Sequence, residues 1–308
     1  MMKFETIEKI VSESEQDGSV VRCTFICPVS ETEVTSSAAL VRGEGLSALT
    51  GDGGGLANQL KDSFSRAVSS AFGAAFLLNR SMSSSGSGAE RYSEDERKLA
   101  IFRAFENVSS RFIWHGENKQ WISALAMPEL ATEFSLQLCN APIESRYDET
   151  LTARMMVEMA TIDQKLADAE RALLETFLTE DTGTLDELLE RPPLRHTELA
   201  EASAGPVRDT MLMMVWALVV VDERIHDNEI ELIEAFARGL AVSPERSTTL
   251  KGFASEFAVD RALTTAYAGG KRDDLEYASA RSLATKLGMT RGDADRMDIR
   301  ARKRLGIY

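Results

Sequence analysis

The chain has 308 residues, 44% of them hydrophobic and 27% charged, and 49 acids against 35 bases give a formal net charge of −14. That length accommodates two domains, each with its own core. The acidic balance excludes sequence-independent nucleic-acid binding, which needs clustered Lys and Arg on phosphates, and favours cationic partners or divalent metals.

The opening "MMKFETIEKI" has acids where a signal peptide needs a basic end and an apolar core. The longest uncharged apolar run, Met211 to Val221, is about half the ~20 residues that a bilayer requires. A cytoplasmic protein without a transmembrane segment is expected. The cysteines, Cys23, Cys27 and Cys139, form no disulfide framework, which fits a reducing compartment. Cys23 and Cys27 share one strand face and read as small buried residues rather than half a zinc site.

In chain order, "SVVRCTFICPVSETEVTSSAAL" predicts a β-hairpin. Val21, Cys23 and Phe25 alternate, Pro28 and Ser30 mark the turn, and "TEVTSSA" returns as a more polar strand. An insert follows over residues 44–90. Gly/Ser-rich tethers flank a segment whose apolar residues, among them Leu56, Leu60, Phe64, Phe72 and Phe76, recur at helical spacing. Such a helix either packs on its own domain or docks on a membrane or a partner protein. Ser93 and Glu96 then form a capping box for a helix with Leu99, Phe102, Ala104 and Phe105 on its core face. "SSRFIWHGENKQWISAL" predicts a second hairpin, with Phe112 and Trp114 on one face and Trp121 opening the return strand. The four strands can pair into one small sheet. "MPELATEFSLQLCNAP" is a helix stopped by Pro142. Residues 1–144 thus read as a small, mainly-β domain with a helical insert.

Residues 145–308 read as helical throughout, giving an α+β chain. With Asp163 aligned on Asp222, Leu166 falls on Ile225, Asp168 on Asp227, Glu170 on Glu229 and Phe177 on Phe236. This is an internal repeat of helix–loop–helix units. The run Met211–Val221, apolar all round, is expected to be the central buried helix. The basic tail "RMDIRARKRLGIY" either neutralises its own domain or meets nucleic acid or a membrane.

The repeated acids have physical tasks. Glu170 and Glu229 fall at the third helical position behind Ala167 and His226, where a carboxylate meets free N–H groups and the positive end of the helix dipole. Asp168 and Asp227 profit from the same end. Asp163 and Asp222 close the preceding helices, where the dipole disfavours an anion by ~0.3–1 kcal/mol. Either an Asx-type turn or a divalent cation shared with Glu170 or Glu229 compensates. Oxygen ligands of this kind suit Mg²⁺, Ca²⁺ or Mn²⁺.

The doubled pattern of Asp, an aliphatic three residues on, and Glu at the seventh position resembles the TerB-like domain of tellurite-resistance and stress-response proteins, over about residues 148–245. A related all-helical domain occurs in membrane-anchored DnaJ-type co-chaperones. Family members often carry Gly after the Asp, where this chain has Gln164 and Glu223. The resemblance implies an all-α TerB-like bundle and a non-catalytic scaffold in a stress-response or defence pathway. It favours the divalent-metal reading of the two acidic loops, with Asp163, Asp168 and Glu170 as candidate ligands in the first and Asp222, Asp227 and Glu229 in the second; a protein partner or a membrane surface is the expected target of the tethered helix.

No nucleophile–base pair or carboxylate–histidine set stands out. His226 in the second acidic loop is matched by Ala167 in the first, and His196 follows a Pro-rich break where Thr197 caps the short helix "ELAEA". A non-enzyme is expected. The rivals are a metal-dependent hydrolase using the same acids, and a structural adaptor without metal.

Overall fold

Alternation of apolar side chains builds the first sheet. In this computed structural model, which describes residues 3–43, 92–162, 174, 184–221 and 225–307, a short helix α1 (Phe4–Ile7) precedes strands β1 (Val11–Asp17), β2 (Val20–Ile26) and β3 (Glu33–Ala39). They form an antiparallel sheet in the order β1–β2–β3. The expected hairpin is β2–β3, with Cys23 opposite Ser36 and Phe25 opposite Val34. Val21, Cys23 and Phe25 are buried. β1, "VSESEQD", has no apolar alternation and is exposed beyond its first residue. It extends the β2 ladder from Val11 opposite Phe25 to Asp17 opposite Val20, so pairing rather than burial makes it a strand.

Helix α2 (Glu94–Val108) starts at the expected capping box: Ser93 Oγ accepts the Glu96 N–H at 3.2 Å, and Glu96 Oε2 accepts the Ser93 N–H at 2.7 Å. Its Phe105 lies at the centre of the first core, with ring centroids 5.3 Å from Phe25, 5.5 Å from Phe112 and 5.1 Å from Trp121. The second hairpin is β4 (Phe112–His115) and β5 (Gln120–Ser123), with Trp114 opposite Trp121. It is a separate two-stranded sheet, which corrects the single-sheet expectation. Its aromatic side chains pack on Phe105, and Ser123 gives its N–H to Cys27 Sγ at 3.2 Å, so the join is through side chains and not a shared ladder.

The helices that follow are α3 (Glu133–Asn140), α4 (Arg146–Ala160), α5 (Leu185–Leu189), α6 (His196–Ala200), α7 (Val207–Val221), α8 (Asp227–Gly239), α9 (Pro244–Ala266), α10 (Asp274–Lys286) and α11 (Arg291–Leu305). As its composition dictates, α7 is central: Met211 to Val220 are all buried, between α9 and α4. The helical core also takes Phe134, Leu138 and Ile143 from before residue 145, and Phe134 stacks on Phe257 with centroids 4.4 Å apart. Helix α6 begins at His196 with Arg195 as N-cap, not at a Thr197 cap. Glu198 fixes that start, since its carboxylate accepts the Arg195 N–H at 3.0 Å and pairs with Arg154 at 2.6 Å.

Terminal helix α11 is basic and docked. Arg304 pairs with Asp260 at 2.9 Å, Arg300 with Glu256 at 2.7 Å, and Arg302 with Asp298 at 3.1 Å. The tail therefore neutralises acids of its own domain. Among the described residues no helix is long and apolar enough to cross a membrane. The tethered insert, the first acidic loop and Asp222 lie outside the described residues.

Candidate functional site

Of the six acids singled out in the sequence, Asp227 and Glu229 are described; Asp163, Asp168, Glu170 and Asp222 are not. His226 is the N-cap of α8, Asp227 the first helical residue and Glu229 the third, as their spacing predicted. Glu229 Oε2 accepts the His226 N–H at 2.6 Å, while the Glu229 N–H goes to Asn228 Oδ1 at 3.0 Å. Asp227 is exposed beside the same positive helix end. Capping engages the Glu229 carboxylate, and the helix dipole favours Asp227. Among the described residues, no three His, Cys, Asp or Glu side chains gather in a way that could hold a metal ion.

The cysteines are free, and Cys23 and Cys27 are buried as expected. Burial pushes the Cys23 thiol up to about 12. Burial also raises Cys27, but its sulfur receives N–H groups from Ser123 at 3.2 Å and Ser30 at 3.5 Å, and such donors bring it below the ordinary value.

Two acids outside the sequence motifs are buried in the first turn of α4. Asp148 Oδ1 accepts the Ser203 N–H at 3.0 Å, which pins the loop after α6. Its neighbour Glu149 is buried with Oε1 lacking a hydrogen bond, and burial pushes that carboxyl up to about 7. Helical spacing of Asp148 to Leu151, Thr152 and Met155 is the signal that would have placed it on the core face.

A groove of ≈ 660 Å³ lies between α9, α11 and the 3₁₀ turn Pro128–Leu130. Ser243 and Pro244 start α9, with Ser243 Oγ accepting the Arg246 N–H at 3.2 Å, and Thr290 caps α11 through Asp293. Those two starts set which residues face each other. Thr249, Phe253 and Glu256 recur at i, i+4, i+7 along α9; Arg296, Arg300 and Lys303 do so along α11. Phe253, Met289, Met297 and Ile299 make an apolar floor, and Ile299 is 46% exposed.

Charges around this floor are mostly paired. Arg296 binds Asp293, and Arg300 lies 2.7 Å from Glu256. The latter contact is electrostatic rather than a fitted fork, because Arg300 Nε and Nη2 find no hydrogen-bond acceptor. The other Glu256 oxygen accepts the Glu133 N–H at 3.1 Å, which ties α3 to the groove. Glu129 and Glu133 on that side, and Lys303 on the other, are exposed. A groove of this size, mostly apolar with a few fixed charges, can hold an amphipathic segment. Sequence reasoning missed it because its walls come from three separate segments, Glu129–Glu133, α9 and the stretch from Met289 to Lys303.

Further along α9, a cavity of ≈ 60 Å³ lies between the second hairpin and helices α9 and α11, lined by Trp121, Phe257 and Arg304 among others. By volume it holds no more than a few waters. Compared with protein families, with curated proteins and with solved structures, the chain finds no match in any of the three.

Proposed function

We propose that the protein is a non-catalytic scaffold that binds a partner protein through the groove between α9 and α11. The observation that carries this reading is the apolar floor of Phe253, Met289, Met297 and half-exposed Ile299, held open between two rigid, capped helices. The setting, a stress-response or defence pathway, comes from the TerB-like resemblance. The metal-dependent hydrolase rival needs acids converging on one pocket, whereas one Glu229 oxygen caps α8.

The test is affinity capture from the cells of origin with three versions of the full chain: wild type, Ile299→Glu in the groove and Leu275→Glu on the exposed face of α10. A partner held by wild type and Leu275→Glu but lost by Ile299→Glu supports the reading. An identical set of captured proteins for all three contradicts it.

A further inference from the structure

We infer that the groove takes a basic amphipathic α-helix. The inference rests on the partner-binding reading and adds the chemistry of the partner. The floor offers Phe253, Met289 and Ile299 to an apolar stripe, and methionine adapts its shape to the side chains laid on it. The flanks decide the charge. The two groove arginines are already paired, Arg296 with Asp293 and Arg300 with Glu256. What remains is Glu129 and Glu133 on one edge, both exposed and without an ion pair among the described residues, against Lys303 on the other. A helix with Lys or Arg along the flank that meets Glu129 and Glu133 completes these pairs; an acidic flank there meets like charge. The net charge of −14 acts in the same direction, steering a cationic segment to the chain and repelling an anionic one.

The probes are two fluorescein-labelled peptides of about 18 residues, roughly five turns of helix. Both carry leucine at i, i+3, i+4 and i+7; one has lysines along a flank and the other glutamates in their place. Fluorescence anisotropy is read with the full-length chain. The lysine peptide is expected to bind at least about tenfold more tightly than the glutamate peptide, and Ile299→Glu to weaken it by about tenfold or more. The double substitution Glu129→Lys, Glu133→Lys is expected to reverse the preference, which a general loss of fold would not do. Equal binding of both peptides, no binding of either, or an unreversed preference overturns the inference. The partner reading stands or falls separately on the capture experiment. Binding that appears only after residues 44–90 are deleted assigns the groove to the chain's own insert. A dimer that Ile299→Glu dissolves assigns it to a second copy. Either result overturns the inference.

Discussion

Arg304 in the last turn of α11 reaches Asp260 on α9 at 2.9 Å, with side chains only 9% and 5% exposed. The guanidinium also donates to Thr264 Oγ1 at 2.7 Å, while Asp260 Oδ1 has no hydrogen-bond partner. Removing one side of such a pair strands the other charge in the interior. Asp260→Ala is therefore expected to cost ~3–5 kcal/mol, and the paired change Asp260→Leu, Arg304→Met far less. Urea denaturation of the two variants checks this; equal losses would show that the pair's charge is not what matters.

The turn of the second hairpin meets the end of α11 backbone to backbone. Gly116 gives its N–H to the Arg304 carbonyl at 2.8 Å, and a Cβ at Gly116 would lie 2.2 Å from the Gly306 nitrogen. No flexible side chain is there to yield. Gly116→Ala is expected to destabilise by about 1–3 kcal/mol and to pry the hairpin from α11. Increased quenching of Trp114 and Trp121, in a variant lacking Trp216, reports the movement. An unchanged melting temperature would contradict the contact.

Glu149 makes stability depend on pH near neutrality. Its folded-state carboxyl is pushed up to about 7 by burial, so between its ordinary range and pH 7 the folded chain holds a proton that the unfolded chain has released. Its contribution is greatest at low pH, falls as pH rises through that window and levels off above about 7. Glu149→Gln should flatten this slope and stabilise the protein at pH 8 by up to about 3 kcal/mol. Melting curves at pH 5.5 and 8 decide it. A variant with the wild-type slope would place the titration elsewhere, with Glu158 the next group, since burial raises it too.

Glu229 separates capping from cation binding. Glu229→Gln weakens the charge-assisted bond to the His226 N–H and its dipole interaction, at a cost of about 0.5–1 kcal/mol. Capping predicts the same loss with or without millimolar Mg²⁺, Ca²⁺ or Mn²⁺. A cation-dependent rise in wild-type melting temperature that Glu229→Gln abolishes would return the loop to the metal reading.

The sequence made some of this legible and hid the rest for physical reasons. Val21, Cys23 and Phe25 announced their strand because each alternate residue is buried, and Met211–Val220 announced the central helix by lacking any polar face. β1 gave no such signal, since it owes its strand form to hydrogen bonds with β2. The capping roles of Ser93, Glu96, His226 and Glu229 are local, within one turn, and could be read from spacing. The stacking of Phe134 on Phe257 could not, because periodicity in one helix shows which face is apolar and not which helix covers it. The groove is hidden for the same reason: Glu129, Phe253 and Ile299 become neighbours only when α9 and α11 pack.

The central claim, that a partner docks on the α9–α11 groove, is tested most directly by placing a photo-crosslinking amino acid at Ile299 and, separately, at Leu275, which is 78% exposed on α10. Both variants are irradiated in the cells of origin, and the adducts are compared by mass. The account predicts a discrete adduct from position 299 that position 275 does not give, despite its greater exposure. The same adducts from both positions, or none from position 299, would contradict it.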